Sequence, residues 1–223
     1  MLNYSIIEQL QLITSALILL TSFLFLTKSR ISGLINTFIA QSSFLVIATV
    51  LQAILNHRSE LYISALLTLL LKVIFIPYLM NYFVKKLDIR HKVAVITHPF
   101  LLLIGAIALV LFCYHLILPI LATSMLVVSN VTAVAMAVVI LGMLLLITHK
   151  KAISHIIGFM SMENGILFAA LVSTRGMPVV VELGIAFDVL IAAILFGVFF
   201  FRIRSSIDSL DVDRLNLLRE DVE

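Results

Sequence analysis

Stretches of about 20 to 25 residues with almost no charge recur along this chain, separated by short charged breaks, and each is long enough to cross a hydrocarbon layer about 30 Å thick. Within them apolar residues run on without the strict alternation of a barrel strand, so the backbone groups must be satisfied inside helices. Charged residues make up 12% of the 223-residue chain and hydrophobic ones 62%, against a charged share of about 25% in a soluble domain. A soluble fold of this length cannot hide that much apolar surface. The chain therefore reads as an all-α, polytopic membrane protein.

The breaks place about seven transmembrane helices, near 6–27, 31–55, 61–84, 93–117, 124–148, 152–173 and 179–203, with short connections that make neighbours antiparallel. Lys28, Arg30, Lys85, Lys86, Arg90, Lys92, Lys150, Lys151 and the basic residues beyond position 200 fall on one side, while the other side has Arg58 and Arg175. The positive-inside rule puts the first set in the cytoplasm, with the N-terminus outside and the C-terminus inside. Three regions result: a four-helix N-terminal part (1–123), a three-helix part (124–203) and a polar cytoplasmic tail (204–223). The opening MLNYSIIEQL has no basic n-region and carries Glu8, so the first segment reads as a retained helix rather than a cleaved signal.

Three charges interrupt this apolar background. Lys72 in SALLTLLLKVIFIPYLM, Glu163 in GFMSMENGILFAAL and Asp188 in VELGIAFDVLIAAILFGV all fall near the middle of their spans. A charge at the bilayer centre costs roughly 2.5–3.5 kcal/mol on insertion scales. Three at one depth predict a lateral row of titratable groups able to trade protons or cations; the plainer reading is an ion pair that fixes helix packing, and the two are compatible. Pro77 follows Lys72 by five residues. Its missing N–H should free the carbonyl of Val73 and kink the third helix.

Other polar positions carry weaker signals. His98 and His155 sit toward the cytoplasmic ends of the fourth and sixth spans, where an imidazole could feed protons inward or simply be a structural residue. Glu182 lies six residues before Asp188, about 120° away around the helix, and suits an interfacial charge better than a relay member. Asn36, Gln41, Gln52 and Asn130 fit interhelical hydrogen bonding, as does Asn164 beside Glu163, while Gly165 and Gly184 fit close helix packing. The single cysteine, Cys113, reads as a small buried hydrophobe.

Several chemistries have no basis in the residues. GxGxxG, GxxxxGK[ST], CxxC sets, HExxH and the serine elbow are absent from the sequence, so nucleotide, cluster, zinc-hydrolase and acyl-transfer motifs are missing. No histidine pairing suggests haem ligation. The net charge of +3 resides in loops and does not indicate nucleic acid.

The runs GFMSMENGILFAAL and VELGIAFDVLIAAILFGV, the tail SLDVDRLNLL and the KVIFIPYLM stretch together resemble the component E subunit of hydrogenase-4, of the formate-hydrogenlyase type. The resemblance covers most of the chain, and the seven-helix count agrees with it. The last three helices further resemble the K subunit of respiratory complex I. The second membrane acid of that subunit aligns with Asp188. The first falls at Met160, with Glu163 three residues on, near the same face.

This resemblance implies an inner-membrane, non-catalytic subunit of an ion-pumping oxidoreductase complex. Its partners would be antiporter-like subunits and the subunit that links to a soluble arm. Nickel–iron, iron–sulfur or flavin centres would lie in those partners, with no cofactor or metal in this chain. Lys72, Glu163 and Asp188 would be the proton or Na⁺ relay, with His98, His155 and Glu182 as secondary candidates. The alternatives are a structural scaffold in the same kind of complex, and a free-standing ion-coupled transporter, although no internal repeat supports the latter.

Overall fold

The computed structural model describes residues 2–86, 99–120 and 126–173, and beyond them Gly184, 188–191, Ile194 and Gly197. The described residues are almost wholly helical. The helices are α1 (Leu2–Thr27), α2 (Ile31–Asn56), α3 (Glu60–Thr68), a π-helical segment (Leu69–Phe75), α4 (Ile76–Lys86), α5 (Pro99–Ile120), α6 (Leu126–Thr148) and α7 (Ala152–Ser173). Because α3, the π segment and α4 run on as one rod, these elements make six helices long and apolar enough to cross a membrane. The described residues of the expected seventh span, Gly184, 188–191, Ile194 and Gly197, are helical. The chain divides into two units, Met1–Asp188 and Val189–Glu223, and all three mid-span charges belong to the first.

The exterior of the first unit carries large apolar side chains, with Phe100 73%, Ile147 70% and Ile63 68% exposed. That is the surface of a protein solvated by lipid, and a multi-pass membrane protein is the class it defines. Little hydrophobic gain then remains for helix association, so close packing and internal hydrogen bonds must supply it. Helix α6 packs on α7, α1 and α5, and α2 packs on α1, α7 and the third rod. Ile18, Leu45, Ala48, Val131, Val134 and Phe168 form part of one core shared by α1, α2, α6 and α7.

Glycines set the closest approach. A Cβ on Gly142 of α6 would stand 2.6 Å from Met162 Cγ and 2.9 Å from the carbonyl oxygen of Gly158 on α7. One on Gly165 would meet the Ala135 carbonyl at 2.9 Å. These contacts hold α7 against α6 and fix the rotation that turns Glu163 and Asn164 inward, where both are buried.

Helix α2 ends where His57 adopts the left-handed conformation (φ 50°, ψ 39°) and its N–H bonds the Ala53 carbonyl, a C-terminal arrangement more often filled by glycine. Helix α5 runs through Pro119 to Ile120, two residues past the break expected at Leu118. Pro119 has no N–H to bond the carbonyl four residues back, so this last turn forms with one rung fewer.

The third rod departs from a kinked α-helix. Over Leu69–Phe75 the backbone takes the π form, and the Ile76 N–H reaches back five residues to the Leu71 carbonyl. The segment ends just before Pro77. A proline cannot donate the next rung and its ring crowds the preceding turn, so a widened turn relieves the conflict over several residues. Lys72 is the buried residue of this segment, while Leu70 and Ile74 remain 47% and 56% exposed.

Candidate functional site

Lys72, Glu163 and Asp188 come together as one buried cluster. Their relative exposures are 0%, 5% and 3%. The Lys72 ammonium lies 3.0 Å from Glu163 Oε1 and 3.4 Å from Asp188 Oδ1. It also donates a hydrogen bond of 3.1 Å to Asn164 Oδ1. The two carboxylate approaches are close in distance but lie off hydrogen-bond direction, and Glu163 Oε1, Glu163 Oε2 and Asp188 Oδ1 lack hydrogen-bond partners among the described residues. Asn164 thus orients the ammonium, while the acids neutralise it.

Local structure explains the meeting. Lys72 is carried inward by the π segment. Glu163 sits mid-way along α7. A Cβ on Gly184, four residues before Asp188, would lie 2.8 Å from Leu167 Cδ2, so Gly184 packs directly against α7. Fully ionised, the cluster holds one positive and two negative charges and carries one negative charge in excess. A buried charge without a partner is strongly disfavoured. The extra acid therefore calls for a proton or a second cation.

The cluster continues into a chain of amides and hydroxyls. Asn164 Nδ2 donates to Gln41 Oε1 at 3.2 Å and to Ser42 Oγ at 3.3 Å. Gln41 Nε2 donates to Ser22 Oγ at 2.9 Å and to Ser161 Oγ at 3.1 Å. Ser22 Oγ donates to the Ile18 carbonyl at 3.1 Å. Ser22, Gln41, Ser42, Ser161 and Asn164 are all buried. Sequence reasoning singled out Gln41 and Asn164 as interhelical hydrogen-bonding groups, which these contacts bear out, and passed over the three serines. The available signal was their shared depth with Lys72.

The secondary candidates fare differently. His155 is described and exposed. His98 and Glu182 lie outside the described residues. The neighbouring His149, which the sequence did not single out, is 1% exposed. Its Nδ1 lies 3.0 Å from Thr148 Oγ1, and its Nε2 has no hydrogen-bond partner among the described residues. Burial holds this imidazole below its usual range, against the opposing effect of the Leu145 backbone. Cys113 is a free, buried thiol. Among the described residues no group of three or more His, Cys, Asp or Glu side chains is placed to hold a metal ion.

The geometry defines a multi-pass helical membrane protein with a buried, charge-unbalanced carboxylate–lysine cluster. The chain is similar to particular proteins along nearly its whole length. It is 26% identical over 209 residues to Hydrogenase-4 component E of Escherichia coli K12, covering 92% of this chain and 95% of that protein. It is 28% identical over 205 residues to Uncharacterized protein Rv0085 of Mycobacterium tuberculosis, covering 91% and 93%. Hydrogenase-4 component E of Shigella flexneri matches at 26%. No protein-family model matches the chain, and no solved structure matches it.

Proposed function

We propose that this chain is a membrane-arm subunit of a hydrogenase-4-like or complex I-like ion-pumping redox complex. In this reading Lys72, Glu163 and Asp188 form part of a lateral relay for protons or Na⁺. The subunit carries no redox centre; nickel–iron, iron–sulfur or flavin chemistry belongs to partner subunits. Its neighbours in the membrane are antiporter-like subunits and the one that leads to the soluble arm. The N-terminus faces outward and the C-terminus the cytoplasm.

The observation that carries the reading is the approach of one ammonium to two carboxylates, at 3.0 and 3.4 Å, with all three side chains buried. A structural ion pair needs one acid for one lysine. The second acid leaves the cluster with a place for one exchangeable charge, and a carboxylate can take up and release a proton at the same oxygens. Similarity to Hydrogenase-4 component E supports the type of assembly. Complete burial of all three groups also suits a scaffold in which the cluster sets helix register.

Glu163→Gln and Asp188→Asn, each in the assembled complex, separate these readings. The relay predicts that electron transfer and assembly persist while ion pumping is lost. Wild-type pumping by both variants would remove the relay role. Failure of either to assemble, restored by neutralising Lys72 and the remaining acid together, would favour the scaffold.

A further inference from the structure

Lys72 has two kinds of neighbour: carboxylates on one side, and a run of amides leading to α2 and α1 on the other. We propose that Asn164 and Gln41 are positioning residues that hold Lys72 against its acids and form the closed end of the relay. The inference rests on the relay reading and deepens it.

The direction of the hydrogen bonds is set by the lysine. An ammonium can only donate, so Asn164 must turn its carbonyl oxygen to Lys72. Its NH₂ then faces away and requires an acceptor, which is Gln41 Oε1. Gln41 in turn points its NH₂ at Ser22 Oγ and Ser161 Oγ. Ser22 passes its own proton to the Ile18 carbonyl of its helix. Lys72, Asn164, Gln41 and Ser22 therefore donate successively away from Lys72, and a backbone carbonyl anchors the last of them. Reversing one amide would set donor against donor beside a buried cation.

Such a chain positions well and conducts poorly. A proton leaving Lys72 this way would have to bind Asn164 Oδ1 while another left Nδ2, turning the amide into its imidic acid. Gln41 would then have to do the same. Amides are far less stable in that form, so two in series stop the transfer. Glu163 and Asp188 face no such obstacle. Among the described residues, the titratable groups at this cluster are Lys72, Glu163 and Asp188; the side chains that meet it from α1 and α2 are Ser22, Gln41 and Ser42. Charge that reaches Lys72 must leave by the acids, through α7 or the helix of Asp188.

The test uses the assembled complex with its native neighbours in proteoliposomes, and a pH-sensitive dye. Redox-driven pumping and passive proton flux under an imposed pH gradient are both read. Asn164→Leu should lower pumping about tenfold or more, because a group displaced by about an ångström loses that much. Asn164→Asp combined with Gln41→Glu replaces both amides of the row by titratable groups and should raise passive flux severalfold. Gln41→Leu should stay as tight as wild type. A purely structural role predicts the reverse order, since Glu matches Gln in shape and Leu does not.

Wild-type tightness in the Asn164→Asp/Gln41→Glu double variant would overturn the closed end, and wild-type pumping in Asn164→Leu would overturn the positioning role. If Asn164→Leu does not assemble, the double variant and Gln41→Leu decide. Failure of all three to assemble, while Glu163→Gln does, would assign these amides to packing alone and overturn the proposal. Full pumping by Glu163→Gln would instead sink the relay reading. Loss of pumping there, with wild-type behaviour in the amide variants, would sink only this inference.

Discussion

The Lys72 ammonium stands 3.0 Å from the Glu163 carboxylate, joining a π-helical turn of the third rod to the middle of α7. The two residues are distant in sequence, and their contact ties the third rod to α7 where both side chains are buried.

Lys72 should be the cluster's most sensitive position. Lys72→Met leaves two buried acids without a cation. Removing one partner of a buried pair costs about 3–5 kcal/mol, so thermal stability in detergent should fall sharply. Adding Asp188→Asn and Glu163→Gln to that variant should restore much of the loss, because no buried charge then remains. A triple variant no more stable than the single one would show that the three charges do not compensate one another.

The π segment offers a test by deletion. A π turn holds more residues per turn than the α-helix around it. Deleting the exposed Leu70 should return the rod to α register while keeping the outer parts of α3 and α4 in phase. The chain should accumulate normally, yet Lys72 would rotate off its acids and pumping would fall. Wild-type pumping by this variant would show that the π form does not aim Lys72.

Helix contact at Gly142 should be intolerant of even a methyl group. Gly142→Ala would press on Met162 and on the Gly158 backbone, and overpacking of this kind costs about 1–3 kcal/mol. Gly105→Ala has nothing within 4 Å of the added carbon and should be neutral or gain up to about 1 kcal/mol from helix propensity. Melting temperatures of the two variants in one detergent check the contrast.

His149 gives the α6–α7 turn a dependence on pH. Its imidazole is held below the usual range by burial, so the unfolded turn binds a proton more readily than the folded one. Stability is then complete above about pH 6.5 and declines as pH falls through that value toward the folded-state one. Limited proteolysis at the turn should accelerate on acidification, and His149→Gln should remove the acceleration. An unchanged acid response in His149→Gln would assign it to other groups.

The three charges were legible in the sequence because an ionisable side chain in mid-span is too unfavourable to be incidental. Six spans were legible because length and hydropathy alone define them. The serines were not. Thr14, Ser43, Thr49 and Thr132 simply bond the carbonyl four residues back, and nothing in composition separates them from Ser22 or Ser161, which meet Gln41. The π segment was hidden for a similar reason. Its residues are as apolar as their neighbours, and Pro77 announces a disturbance without saying whether the helix bends or widens. His149 escaped notice because it sits at a helix end, where a histidine is ordinarily solvated.

Infrared difference spectroscopy on the working complex follows proton exchange at the buried acids during turnover. A carboxyl C=O signal should appear and disappear with redox turnover, and should be absent in Glu163→Gln or Asp188→Asn. A turnover spectrum identical in wild type and both variants would contradict this exchange and leave the cluster as a structural knot.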